Sequence, residues 1–219
     1  MSENKRKKLT KFEKWFRFLR RIHRFFVVPI FPYKKHGHKE RFNDGPYIFV
    51  GNHRSVLDIA LVAMATDNPI HFIAKKQLYD KRIGKWFAEN SQCIPVSRDG
   101  TDVRALMQAM KYLKEGSYVG IFPEGKRNKT NEIFLPFKSG AAAISIKTKT
   151  PIIPVVIYKK IKAFRFTHAY YGEPFEFTEF YDKKLTQEDI DRADEILRQK
   201  MEEQYNILRE IIESKKKKQ

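Results

Sequence analysis

From Gly45 onward, short apolar runs alternate with stretches of helical spacing, and this alternation narrows the fold more than any other feature of the 219-residue chain. The strand candidates are 47–50 (YIFV), 70–74 (IHFIA), 94–96 (IPV), 118–122 (YVGIF), 152–158 (IIPVVIY) and 163–171 (AFRFTHAYY). Helices are predicted between them, near 55–66, 80–90, 101–115 and 139–149. Repeated strand–helix units predict an α/β domain with a mixed, largely parallel central sheet flanked by helices. A last helix is predicted over 186–213, where Thr186 can cap and Asp189 stands three residues later, close to a capping box. Its apolar side suits covering the domain or meeting a partner.

Ahead of this domain, residues 10–28 (TKFEKWFRFLRRIHRFFVV) form a different pattern. Phe12, Trp15, Phe16, Leu19, Ile22 and Phe26 recur at steps of three and four and line one face of a predicted helix. The flanks carry Lys11, Lys14, Arg17, Arg20, Arg21 and Arg24, with Glu13 the one acid. Such a stripe can pack on its own domain. Bulky aromatics backed by cations also suit an interfacial helix, with rings at the acyl boundary and cations at anionic headgroups, and this reading is preferred. Pro29 and Pro32 end the helix. The chain therefore divides into a basic amphipathic membrane-docking segment, 1–41, and an α/β domain, 42–219. No apolar run approaches the ~20 residues of a spanning helix, and the N-terminus makes a poor secretory signal. The expected location is peripheral or monotopic on a membrane, at its cytoplasmic face.

Lys and Arg outnumber Asp and Glu by 44 to 26, a net charge of +18 that calls for an anionic partner. An apolar fraction of 42% is enough for a real core and sets aside a disordered polybasic tail. The single Cys93 excludes an internal disulfide. His36, His38 and Glu40 in HGHKE come nearest to a metal cluster, but they lack zinc spacing and read as a polar loop.

Chemistry concentrates at strand exits. In GNHRSVLDI, His53 and Asp58 follow the strand 47–50. Ser55 is a reasonable N-cap for the next helix, which would put Asp58 in its first turn, where an acid complements the helix dipole. A His and an Asp at one rim also assemble a general base with its orienting carboxylate. In a continuous helix five residues turn through about 500°, so the two side chains meet only if His53 precedes the helix and folds back over it. The stretch GIFPEGKRNKT approaches phosphate-loop spacing, but Arg127 stands at the Ser/Thr position and Pro123 removes a backbone donor. A nucleotide loop is rejected, which leaves Lys126, Arg127 and Lys129 as cations suited to a phosphate. Lys75 and Lys76 follow the strand 70–74, and Arg98 follows 94–96. Ligands of open α/β sheets sit outside the carboxyl ends of the strands, so these exits would converge on one anionic substrate.

NHRSVLD resembles the N-H-x-x-x-x-D motif of the 1-acylglycerol-3-phosphate acyltransferase family of glycerolipid acyltransferases. FPEGKRN is similar to its F-P-E-G-T-R-S block, with Lys126 and Asn128 in place of Thr and Ser. IPVSR and IIPVVI resemble its block ending in Arg and its late apolar block, and all four occur in the family's order. The resemblance implies that His53 is the general base and Asp58 its partner. It places Arg98, Glu124, Gly125 and Arg127 at the acceptor phosphate, with Lys75 close to the same pocket. It also implies an acyl thioester co-substrate, acyl-CoA or acyl carrier protein, a lysophospholipid acceptor, and no cofactor or metal. Another acceptor, such as glycerol 3-phosphate, stays open. A basic nucleic-acid-binding module would interleave cations and aromatics on one exposed face; here that pattern sits in one helix, so no nucleic-acid partner is expected. A membrane-bound scaffold without activity would not need His53 and Asp58.

Overall fold

Seven strands form one sheet in the order β1-β7-β6-β2-β5-β3-β4. These are β1 (Tyr33–Gly37), β2 (Ile48–Gly51), β3 (Ile70–Lys75), β4 (Ile94–Val96), β5 (Tyr118–Ile121), β6 (Ile152–Ile157) and β7 (Thr167–Tyr171). The structure, a computed structural model, describes residues 8–97, 102–138 and 140–217. Every strand pair is parallel except β6 with β7, which is antiparallel, and β1 follows the direction of β7. The sheet is thus mixed and largely parallel, as the alternation predicts. Strands β2 to β6 end at one edge, and β7 and β1 begin there.

The helices are α1 (Lys11–Ile22), α2 (Asp58–Ala63), α3 (Arg82–Asn90), α4 (Val103–Lys114), α5 (Ala141–Thr148) and α6 (Gln187–Lys216). One core, against α4, α5 and α6, takes Ile48, Val50, Val119, Ile152 and Val156. The other, against α1 and α2, takes Phe49, Ile153, Val155, Ala169 and Tyr171. Burial on both faces explains why β2 and β6 read as unbroken apolar runs. The Thr186–Asp189 capping box forms as predicted.

Four local readings change. The basic strand β1 escapes a hydrophobicity pattern because it is an edge strand held by its parallel register with β7. The strand expected from 163 begins only at Thr167, because Phe164 adopts φ +56° and breaks the extended chain. The first helix stops at Ile22 and passes into a π-helical turn over His23–Val27. Finally, α2 is shorter than expected and begins at Asp58, with no side-chain cap from Leu57 before it. The Asp58 carboxylate binds the Arg54 and Ser55 amides ahead of that helix, and the Ser55 hydroxyl accepts only the Leu57 amide, at 3.3 Å.

Gly120, the first glycine of the rejected phosphate loop, has a packing reason. A Cβ there would lie 2.4 Å from the Phe72 ring and 3.0 Å from Ile70. Gly120→Ala should destabilise the fold by about 1–3 kcal/mol through overpacking, seen as a lowered midpoint in urea unfolding with an unchanged m-value.

Candidate active site

The chain leaves β2 through Gly51, where a Cβ would meet Val62 at 2.9 Å and Phe122 at 3.1 Å. Asn52 is fully buried and clamps the exit to the end of β6. Its Nδ2 donates to the Ile157 carbonyl at 3.0 Å, and its Oδ1 accepts from the Ile157 N–H at 2.7 Å. His53 follows, ahead of α2 and not within it. Its Nδ1 lies 3.1 Å from Asp58 Oδ2. The same oxygen accepts the N–H groups of Arg54 at 2.5 Å and Ser55 at 2.6 Å. The loop therefore folds back over the first turn of the helix, which is the one geometry that lets residues 53 and 58 meet. Asp58 is wholly buried and His53 partly exposed.

The loop after β5 completes the holder. Phe122 stacks on the imidazole with ring centres 4.4 Å apart. Glu124 is buried, and both its oxygens are engaged by backbone, accepting the His53 N–H at 2.8 Å and the Leu135 N–H at 3.0 Å. Burial raises its carboxyl above the ordinary range, while these two amides oppose the shift. The Asn128 N–H donates to the His53 carbonyl at 2.6 Å, and Asn128 Nδ2 to the Glu132 carbonyl at 2.9 Å. Arg54 reaches across to the carbonyls of Glu132 at 2.5 Å and Ile133 at 3.0 Å. Asn52, Arg54 and Asn128 were not singled out by sequence. Their signal lay inside the motifs NHRS and GKRN, whose polar residues serve backbone carbonyls and amides.

Beside Phe122 a cavity of about 660 Å³ runs between the ends of β3, β4 and β5 and the helices α4 and α5. Ile73, Val96, Leu106, Ile121, Phe137 and Ile144 make it apolar, and Lys75, Lys126 and Lys138 bring cations to it. Of the predicted phosphate ligands, Lys75, Glu124 and Gly125 line this space. Arg127 is exposed and outside the lining, and Arg98 falls outside the described residues. Lys138 was missed because it lies thirteen residues past Gly125. Its chain crosses that glycine so closely that a Cβ would sit 3.0 Å from Cδ, and Gly125 adopts φ +62°.

The predicted docking stripe is divided. Phe12 and Phe16 are buried against the domain, and Trp15, Leu19 and Ile22 are partly covered. Trp15 donates to Ser91 Oγ at 3.0 Å, and Arg20 to the Thr66 carbonyl at 2.5 Å. Of the six, Phe26 stands exposed. Among the described residues no helix is long and apolar enough to cross a membrane. No three His, Cys, Asp or Glu side chains gather there as a metal site; His36 meets His168, and His38 meets Glu173. Cys93 precedes β4, at the edge opposite His53, and burial pushes its thiol up to about 11.

A histidine–carboxylate pair thus stands at the carboxyl edge of a largely parallel sheet, beside an apolar cavity with lysines at its rim. The profile of the Acyltransferase family matches residues 33–158, more than half of the sequence, and the chain belongs to that family. It is 30% identical over 152 residues to a chloroplastic 1-acyl-sn-glycerol-3-phosphate acyltransferase of Brassica napus, covering 64% of this chain and 44% of that one. It is 35% identical to the 1-acyl-sn-glycerol-3-phosphate acyltransferase of Helicobacter pylori, covering 56% and 53%. The chain spans about half the length of the curated relatives it matches. In fold it is similar to the crystal structure of the 1-acyl-sn-glycerophosphate acyltransferase PlsC from Thermotoga maritima. That match has a TM-score of 0.61 at 22% identity and covers 92% of this chain and 78% of that one.

Asn52 gives the site a stability test. Asn52→Ala would leave the N–H and carbonyl of Ile157 buried without their partner, and the expected cost is about 2–3 kcal/mol, read from chemical denaturation.

Proposed function

We propose that the protein transfers a fatty acyl chain from a thioester donor, acyl-CoA or acyl carrier protein, to the sn-2 hydroxyl of 1-acyl-sn-glycerol 3-phosphate, making phosphatidic acid. The observation that carries this reading is the His53–Asp58 pair beside the apolar cavity, in a chain of the Acyltransferase family. The acceptor is taken from the names of the relatives.

In this mechanism Asp58 holds the Nδ1–H of His53, so that Nε2 carries the free lone pair. The acceptor hydroxyl gives its proton to Nε2 as its oxygen attacks the thioester carbonyl. The tetrahedral intermediate collapses, the carbon–sulfur bond breaks, and the departing thiolate takes the proton back from the imidazolium. The buried carboxylate stabilises the imidazolium between these steps. No acyl-enzyme is formed: the one thiol, Cys93, has its reactivity suppressed by burial at the far edge. No metal or organic cofactor enters the scheme.

Lys75, Lys126 and Lys138 supply cations for the acceptor phosphate, and the apolar cavity receives an acyl chain. Glu124 acts in this reading as a positioning residue. Both its oxygens are already engaged, and a carboxylate would repel a phosphate. Because acceptor and product reside in a bilayer, the protein works at a membrane surface, on its cytoplasmic face.

The test follows phosphatidic acid formation from 1-oleoyl-glycerol 3-phosphate with acyl-CoA or acyl carrier protein as donor. His53→Ala should lose about 100-fold or more in kcat, the contribution of a general base. Equal activity in that variant would remove His53 from the chemistry. Product from glycerol 3-phosphate instead would move the acceptor, and no acylated product with either donor would overturn the reading. Lys75→Ala should raise the acceptor KM about tenfold with a smaller change in kcat, the pattern of lost ground-state binding.

A further inference from the structure

The loop joining β6 to β7, residues 158–166, has no part in the site described above, yet it is unlike an ordinary connection. It presents Phe164 and Phe166 at 79% and 60% exposure, with Ile161 buried beneath them as its anchor. Phe164 holds φ +56°, a conformation costly for a bulky side chain, and its ring gains almost no packing within the chain in return. The conformation is tied down from outside the loop. The Phe164 N–H donates to the Ile30 carbonyl at 2.6 Å, and the Thr167 N–H to the Pro32 carbonyl at 2.8 Å. These bonds join the loop to the segment after α1, where Phe25, Phe26 and Ile30 are also exposed, the first two at 64% and 68%. Lys34 Nζ lies 4.5 Å over the Phe166 ring and couples the two segments again.

Charge says what covers this apolar ridge. Lys159, Lys160, Lys162 and Arg165 lie exposed within the loop, and Arg21, Arg24 and Lys34 on the neighbouring segment. No Asp or Glu occurs between Glu13 and Glu40, or between Tyr158 and Glu173. Exposed phenylalanines ringed by cations alone match a surface with an acyl interior and anionic headgroups. Topology adds a direction. β7 and β1 begin at the edge where β2, β5 and β6 end, so the ridge stands at the same edge as His53.

We propose that the β6–β7 loop is a lipid-inserting element, which with Phe25, Phe26 and Ile30 forms the principal contact with an anionic bilayer and turns the active-site edge toward it. This rests on the membrane-surface reading above and relocates the contact, from the stripe of α1, which packs largely inward, to a bipartite ridge that keeps only Phe26 of that stripe.

The experiment is flotation of the full chain with vesicles of phosphatidylcholine alone and of phosphatidylcholine with phosphatidylglycerol, comparing wild type, Phe164→Ser/Phe166→Ser and Phe164→Trp. Wild type should bind the anionic vesicles, and the double Ser variant should lose at least tenfold in partition. The Trp variant should keep binding, with an emission blue shift and quenching by brominated acyl chains beyond those of Trp15 and Trp86. The double variant should melt as wild type does, both rings being exposed, and keep wild-type turnover on detergent-dispersed acceptor. Vesicle partition needs no substrate, so its outcome is independent of the acyltransfer reading. Undiminished binding by the double variant would overturn the proposal, as would failure of wild type to bind anionic vesicles. Intact vesicle binding, with turnover lost only when acyl carrier protein is the donor, would instead assign the ridge to that acidic partner.

Discussion

One buried oxygen, Oδ2 of Asp58, organises the sheet edge that carries His53. It accepts the imidazole Nδ1 of His53 and the backbone N–H groups of Arg54 and Ser55. Without that convergence the chain leaving β2 would have no reason to double back over α2, and the imidazole would lie on the wrong side of the helix start. The arrangement serves two needs together. Backbone amides stranded at a helix entry find an acceptor, and the imidazole finds a carboxylate partner for Nδ1.

Everything else near His53 restrains this loop from its other sides. Asn52 ties it to β6, Glu124 and Asn128 tie its backbone to the loop after β5, and Arg54 spans to residues 132 and 133. Most of these bonds end on backbone groups, so they fix where the imidazole sits and leave its free nitrogen open. Phe122 joins the two halves of the site, stacking on the imidazole with one face and lining the cavity beside it. The apolar cavity therefore opens directly beside the imidazole, with Lys75 and Lys138 in its lining.

The surface shows the same economy in another form. The aromatic side of α1 is mostly spent on holding that helix to the domain, with Phe12 and Phe16 inside the core. Exposed rings reappear within the π-helical turn and on the β6–β7 loop, and backbone bonds join that loop to the segment just after the turn. Helical periodicity finds apolar residues that share a face, but it is silent on whether that face looks inward or outward.

Sequence alone determined the class of fold, since runs such as IIPVVI and the helical spacings between them leave few ways to bury a parallel sheet. It also carried the candidate site residues, because His53, Asp58 and the cationic strand exits stand in local motifs. Tertiary structure decided what depends on long-range pairing. The charged edge strand β1 exists only through its register with β7, and Lys138 enters the site only because the chain returns across Gly125. Glu124 stood at the right place in its motif, yet its two amide bonds came from residues 71 and 11 positions away. Local spacing carries residue type and face; which distant group a buried polar atom meets is settled when the sheet assembles.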